Sequence, residues 1–434
     1  MVFAAAWHET LGTARSSTLT ALLSPHHSEM SVSFSSPVPS RADRLAKVAR
    51  ALKKRTNQIE WESRVDFFGG WFRKGPQQGS LRRLRAHAEA ALHQRGLAVL
   101  QAADDATWET ALARDLLYQV LKRQVAWLHA VSDHVKKHFS FTEGFRRRSA
   151  DDAQRIAGVK AAFADDMQLA STISGLHVLL RANAAPSRHA DEPSAVDLAF
   201  EMFLVASHFY KSDVGQRVEK TALAALKDVC GHLIPRSAFD ALHHDVCSHL
   251  AHEHAVPAAH PTLLAVVRRM LCCRLAASYY APVAAKLMLE QTLYDRSVDK
   301  VLRLSLAEIG LIDVGVPHDD IVLTRSIAAI EGLAVLMPDG MLQGYMHTIG
   351  VLHDEVGSAM GVASSLCLSA DIVLPILVAI LAHAHTPLLH LQLHAMEAIG
   401  LKDTSIGGES AYYVALLQAA AAAVVAHARN EPAE

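Results

Sequence analysis

The chain has 434 residues, half of them apolar, so it can build a hydrophobic core and lies outside the composition of disordered proteins. The net charge is −2, and residues 301–434 hold four Lys/Arg against fourteen Asp/Glu, so residues 1–300 carry +8. Nucleic-acid-binding domains are usually basic throughout, so we expect no nucleic-acid partner. The basic N-terminal part suits an anionic partner such as a membrane surface.

The N-terminus lacks the basic and then apolar layout of a secretory signal, because Glu9 and Glu29 interrupt it. We expect residues 1–40, which end in a Ser- and Pro-rich stretch, to be disordered. No apolar run reaches the roughly 18 residues of a membrane-spanning helix, and the mostly alanine run 416–426 is interpreted as a buried helix. Scattered cysteines without a CxxC pair favour a reducing cytosolic compartment over disulfides.

Two N-terminal segments have alternative interpretations. In Arg41–Arg55, one helical face carries Leu45, Val48, Ala49 and Leu52, and Lys/Arg fill the other. That pattern suits an amphipathic helix on an anionic membrane or, as we favour, a bundle helix with a solvated face. The aromatic residues of Val65–Pro76 suit burial in the core, with membrane or partner contact as the alternative.

Helical periodicity dominates the remaining sequence. Apolar residues recur every three or four positions over Trp108–Val135, which predicts one long amphipathic helix, with N-cap chemistry supplied by Asp104 and Asp105 ahead of it. Similar stripes cover residues 152–182 and 195–235. No convincing alternating strand pattern and no repeat is present, so the predicted fold is all-α.

A polar segment with two prolines, Asn183–Ser194, is the best internal boundary. It separates a predicted N-terminal helical region, residues 41–190, from a helical bundle at 195–285. A second break is the Pro-bearing stretch Val256–Pro261, and we interpret the apolar residues 262–296 beyond it as a pair of helices. The acidic C-terminal third is a further helical module.

The first motif of this module is Ser369–Leu377, where Ser369 and Asp371 are capping residues ahead of an apolar helix. With Asp371 as the N-cap, Pro375 falls in the first turns, and its missing N–H leaves the Asp371 carbonyl without its usual partner. The loosened turn could project the carboxylate toward a cationic or metal-bearing pocket of a partner. An ordinary capped helix with a tolerated proline is the commoner use of such residues.

The second motif, 407–417, begins with two glycines and continues as a helix. Its spacing places Tyr413 on the face that enters the core and Tyr412, Ala415 and Leu416 on an adjacent face. An aromatic residue on the less buried face is a good protein-binding anchor. Two core-edge tyrosines with surface hydroxyls are the alternative.

Together the motifs resemble the vacuolar-protein-sorting-nine domain, the catalytic unit of exchange factors for Rab-five-type small GTPases. The matching residues are Ala370-Asp371, Leu374-Pro375, the segment HTPLLH at 385–390, Gly408-Glu409 and Tyr412-Tyr413. The resemblance implies a layered helical module over 286–428, braced by the bundle at 195–285.

The resemblance also implies a function and residue roles. The chain would be a guanine nucleotide exchange factor without covalent chemistry, cofactor or metal, cytoplasmic and peripheral on early endosomal or vesicular membranes. Asp371 would oppose phosphate and Mg²⁺ in the GTPase, Pro375 would shape its turn, and Tyr412 would contact the switch regions. The remaining partner-binding residues would be Glu409, Tyr413, Ala415, Leu416 and Pro387.

Two alternatives stay open. Ala415 replaces the family threonine, which would remove a hydrogen bond worth roughly 0.5–1.5 kcal/mol, so a non-catalytic Rab-binding adaptor is the alternative function. A metal-dependent enzyme is a third reading, because six histidines crowd the stretch His243–His260 around Cys247. No paired-ligand motif such as HExxH accompanies them, so we predict no metal site.

Overall fold

The computed structural model describes most of the chain. The described residues are 40–68, 79–104, 107–146, 176, 179–180, 192–227, 234–311, 321–333, 335–361, 368–401 and 408–430. Four sets of residues with sequence-based predictions lie outside this described part. They are residues 1–39, which we expect to be disordered, nearly all of the stripe 152–182, most of the boundary segment 183–194, and the side chains of 65–76. The chain divides into the units Met1–Arg44 and Leu45–Glu434, and all that follows concerns the second unit.

The described residues form helices and no strand, so the all-α prediction is confirmed. In chain order the first helices are α1 Arg41–Phe68, α2 Gly79–Ala102, α3 Trp108–Arg114, α4 Leu116–Arg146, α5 Ala195–Ala206, α6 Asp213–Lys227, α7 Arg236–Glu253 and α8 Pro261–Val301. They are followed by α9 Leu306–Ile309, α10 Thr324–Glu331, α11 Pro338–Ala359, α12 Ala370–His383, α13 Leu389–Ala395 and α14 Gly408–Asn430. A 3-10 turn lies at Phe209–Lys211 and a π-helical turn at Met396–Gly400.

The prediction of one long helix from Trp108 to Val135 is wrong, because the chain breaks at Asp115. That residue has an extended backbone with ψ of 103°, and its carboxylate accepts a bond of 2.7 Å from the Tyr118 N–H at the start of α4. Arg95 of α2 donates to both carboxylate oxygens at 3.0 and 2.7 Å. The apolar period continues through the break, so periodicity alone does not reveal it. The residue before α3 is Thr107 rather than Asp104.

Helix α8 is the central element of the second unit, because it packs against α4, α5, α6, α7, α11, α12, α13 and α14. Its 41 residues form one helix rather than the predicted pair, although Pro282 removes one helical hydrogen bond. Fully buried side chains such as Leu271 and Leu275 each contribute roughly 1.5–3 kcal/mol through burial, which keeps the helix continuous. The boundary expected between residues 285 and 286 lies within α8.

Buried ion pairs fix α8 against α5. Arg274 of α8 donates to Glu201 at 2.7 Å, and both side chains are only 1% exposed. The Tyr210 hydroxyl donates to the same carboxylate at 2.9 Å, and burial raises the pKa of Tyr210, so the hydroxyl keeps its proton. One turn away, Arg269 pairs with Asp197 at 2.7 Å. Buried pairs specify one arrangement of helices more than they add net stability.

Helix α14 is long and apolar enough over Gly408–Arg429 to cross a membrane, contrary to the sequence-based expectation. It is the one such helix among the residues that the structure describes. The inner positions Leu417, Ala420 and Val424 are fully buried against neighbouring helices. The core helix of a globular protein meets the same criterion of length and composition. In this structure the inner face of α14 packs into the core.

Candidate functional site

The first candidate residue, Asp371, lies in the first turn of α12. Of the two candidate capping residues, Ser369 rather than Asp371 is the N-cap, and its carbonyl accepts from the N–H groups of Ile372 and Val373 at 3.0 Å each. The Asp371 side chain is exposed. A carboxylate in a first helical turn is stabilised by the unpaired N–H groups there, by roughly 0.3–1 kcal/mol.

Pro375 is buried within α12 and leaves the Asp371 carbonyl without its helical donor. This consequence does not depend on which residue is the cap, since in any α-helix the N–H group at position 375 would be the donor to the carbonyl at position 371. The following positions, 376–382, are all buried, so α12 is a core helix with apolar side chains around its circumference. Asp371 is therefore the one charged side chain at the solvent end of a helix that is otherwise apolar until His383.

The second candidate set lies at the start of α14, where neighbouring side chains differ in exposure. Tyr412 is 46% exposed and Tyr413 only 7%, and their rings meet edge to face with centroids 5.2 Å apart. Glu409 and Ala415 are exposed, and Leu416 is half-buried. The adjacent face expected to carry Tyr412, Ala415 and Leu416 therefore reaches solvent, and the face of Tyr413 enters the core.

Tyr413 holds this part of α14 against α11. The Tyr345 hydroxyl of α11 donates to the Tyr413 carbonyl at 2.9 Å, and the Tyr413 hydroxyl lies 3.4 Å from Nε2 of His353. Burial raises the pKa of Tyr345, so its hydroxyl remains a proton donor at neutral pH. These contacts orient α14 so that Tyr412 faces outward. A direct role of Tyr413 in partner binding stays a prediction.

The loop that follows α12 is fixed by α8. The Tyr294 hydroxyl donates to the Leu381 carbonyl at 2.9 Å and lies 3.1 Å from the Thr386 hydroxyl oxygen. The Gln291 amide donates to the Thr386 carbonyl at 3.2 Å. Burial, partly offset by the Thr386 hydrogen bond, raises the pKa of Tyr294. Thr386 itself is buried, and the neighbouring Pro387 is half-buried.

Sequence reasoning did not identify Tyr294 and Tyr345 as positioning residues. Each tyrosine bonds to a backbone carbonyl that lies 87 or 68 residues away in the chain. A carbonyl acceptor has no residue-type signature, so no local pattern could have revealed either contact.

The structure brings the two candidate segments onto neighbouring helices. Helices α12 and α14 pack against each other, and both pack against α8. Asp371 and Tyr412 are thus exposed side chains of two adjacent helices. A separate groove of about 510 Å³ lies between α8, α13 and α14, and both apolar side chains such as Leu287 and Val425 and charged ones such as Glu290 line it. None of the candidate site residues lines that groove.

The histidine-rich stretch is engaged in ordinary helix contacts. His243 lies 2.9 Å from the Leu264 carbonyl, His249 pairs with Glu253 at 2.9 Å, and His254 packs edge-on against Phe203. Within the described ranges, no three His, Cys, Asp or Glu side chains are grouped to hold a metal ion. Burial raises the pKa of the nearby Cys247 thiol to about 12, which keeps it protonated and a poor ligand.

Comparisons with known proteins supply no relative for this chain: no family model, no curated protein and no solved structure matches it.

Proposed function

We propose that the chain is a guanine nucleotide exchange factor that binds an endosomal Rab-type GTPase and promotes release of GDP. The observation that carries the proposal is the exposed carboxylate of Asp371 at the end of the otherwise buried helix α12. That helix packs against α14, which exposes Tyr412. The layered arrangement expected of a vacuolar-protein-sorting-nine-like module is part of the same proposal.

The proposed mechanism is electrostatic displacement. A carboxylate that enters the nucleotide pocket of the GTPase repels the phosphates and competes for their cationic partners. Loss of Mg²⁺ coordination weakens a nucleotide that is held largely by charge. Asp371 is suited to this role because it is exposed, and no ion-pair partner for it occurs in the described part of the chain.

Tyr412 would supply the binding anchor. Its ring is half exposed and rests on Tyr413, so little side-chain entropy is lost when a partner covers it. Tyrosine combines a large apolar surface with a hydroxyl and is enriched among residues that dominate interface energies. Glu409, Ala415 and Leu416 would extend the same surface along α14.

The test is release of fluorescent GDP from a panel of Rab-five-class GTPases, with excess GTP, at several concentrations of the full chain. We expect Asp371→Ala and Asp371→Asn to slow release at least tenfold, since bonds to a charged group are worth roughly 1.5–3 kcal/mol. Tyr412→Ala should weaken the interaction mainly by raising the concentration needed for half-maximal release.

The matched control is Asp299→Ala, which removes an exposed carboxylate from α8 that has no ion pair among the described residues. It should leave release unchanged. If the wild-type chain accelerates release from no member of the panel, or if Asp371→Asn is as active as wild type, the exchange proposal fails.

A non-catalytic Rab-binding adaptor is the second candidate. The exposed methyl group of Ala415 favours it, because the resembling family has a threonine hydroxyl there. This function predicts stable binding to a GDP-loaded or nucleotide-free GTPase, reduced by Tyr412→Ala, without faster nucleotide release. In both cases we propose a cytoplasmic protein peripheral on early endosomal or vesicular membranes.

A further inference from the structure

Helix α1 is docked along one face, which decides between its two sequence-based interpretations. Leu45, Val48 and Leu52 are half-buried on this face. On the same face Arg55 forms an ion pair with Glu89, whose side chain is only 6% exposed on α2. The apolar side of α1 is therefore partly covered by the protein itself.

The opposite face of α1 presents four exposed cations, Lys47, Arg50, Lys53 and Lys54. Residues 45–59 contain no Asp or Glu. Among the described residues none of the four has an ion-pair partner, and the Arg50 Nε only donates to the Ala46 carbonyl at 3.2 Å. With a rise of 1.5 Å per residue, the cations span roughly 11 Å of one helix face.

We propose that this basic face of α1 binds an anionic lipid membrane by electrostatic adsorption while α1 stays docked on the protein. Clusters of roughly four to eight Lys/Arg bind anionic headgroups without insertion. A helix that inserts must bury its own apolar face in the bilayer, and here that face already meets the protein and is half-buried. This inference is independent of the proposed exchange activity, because α1 contributes no residue to that site.

A membrane fits this face better than a nucleic acid does. Strong nucleic-acid binding uses roughly six to ten phosphate contacts, more than four cations provide. Single strands also require aromatic side chains on which bases stack, and residues 45–59 contain none.

The expected size of the effect follows from the number of charges. Each Lys or Arg near an anionic leaflet strengthens binding roughly fivefold. Neutralising all four should therefore reduce partitioning by about a hundredfold or more. Raising the salt concentration shortens the screening length from about 10 Å at 0.1 M to about 3 Å at 1 M, so adsorption should be lost at high salt.

The experiment is co-sedimentation of the full chain with vesicles of phosphatidylcholine alone or with roughly 30% phosphatidylserine. The test variant is K47Q/R50Q/K53Q/K54Q. The control is K211Q/R217Q/K220Q/K227Q, which neutralises four exposed cations on and beside α6, of which Arg217 pairs with Asp245, and so changes the net charge equally. Circular dichroism and the urea midpoint are measured to check that both variants fold, as we expect for exposed substitutions.

Salt-sensitive binding to phosphatidylserine vesicles that the α1 variant loses and the α6 variant keeps supports the proposal. Three results overturn it. Equal loss in both variants means that net charge alone is responsible. Binding that survives 1 M salt, or is equal on phosphatidylcholine, means insertion. If the chain does not bind vesicles but binds a short RNA or DNA through the same four cations, the partner is a nucleic acid instead.

Discussion

The Tyr345 hydroxyl and the Tyr413 carbonyl, 68 residues apart in the chain, are joined by a hydrogen bond of 2.9 Å. Tyr345 is fully buried on α11, and Tyr413 is the inner member of a tyrosine pair on α14. The bond fixes the rotation of the first turns of α14 about the helix axis. Tyr412, the residue before Tyr413, is therefore turned toward solvent. The exposure of the proposed anchor thus depends on a buried contact.

Tyr345→Phe removes this bond while keeping the ring. We expect the free energy of unfolding to fall by about 0.5–1.5 kcal/mol, because one buried hydrogen bond is lost. Urea denaturation followed by circular dichroism measures the change. Tyr412→Phe removes an exposed hydroxyl from the neighbouring position and should change stability by less than about 0.5 kcal/mol. Equal effects of the two variants would contradict the positioning role of Tyr345.

Ala415→Thr restores the hydroxyl that the resembling family carries. If the chain acts on a GTPase through α14, we expect nucleotide release to rise by about two- to tenfold, since a hydrogen bond contributes roughly 0.5–1.5 kcal/mol. Ala419→Thr, at an exposed position about one turn further along, has the same helix-propensity penalty without the predicted contact. An identical change in release in both variants would show that residue 415 does not meet the partner.

Arg274→Met leaves Glu201 as an unpaired buried charge, although the Tyr210 hydroxyl still donates to it. We expect a loss of about 3–5 kcal/mol in the free energy of unfolding. The double variant Arg274→Met/Glu201→Leu should be more stable than the single variant, because apolar pairs can replace buried ion pairs at little cost.

Arg217→Met is the exposed comparison for this pair, since Arg217 meets Asp245 at 2.9 Å on the surface. It should cost no more than about 1 kcal/mol. Urea denaturation of the wild type and these three variants measures the differences. A double variant no more stable than Arg274→Met alone would contradict this expectation, because removal of the unpaired charge would then bring no gain.

His390 makes stability depend on pH. Burial lowers the pKa of His390 below 6.5, and the opposing attraction of Glu290 and Asp295 does not offset it. The unfolded chain therefore takes up a proton near pH 6.5 that the folded chain accepts only at lower pH. Stability is full above this range and falls as pH drops from 6.5 toward the folded pKa.

His390→Gln should flatten the decline in the urea midpoint below pH 6.5, whereas His347→Gln at an exposed position of α11 should not. His394 has a pKa lowered by the same cause, so part of the slope should remain. If the pH profiles of the His390 variant and wild type coincide, another group is responsible.

The sequence by itself determined the all-α class, the buried face of α14 and the carbonyl that Pro375 leaves without a donor. Each of these follows from spacing within one helix, where 3.6 residues per turn and the bond from residue i to i−4 relate near neighbours. The sequence also contains the motif that led us to choose Asp371 and Tyr412 as candidate site residues.

Tertiary structure alone decided the rest. The break at Asp115 depends on Arg95 from another helix, and the continuity of α8 depends on neighbours that bury its whole length. Tyr294 and Tyr345 select distant carbonyls, and the contact face of α1 leaves the cations of the opposite face exposed to solvent. Contacts between helices join residues that no local period relates, so only packing of the whole chain could establish them.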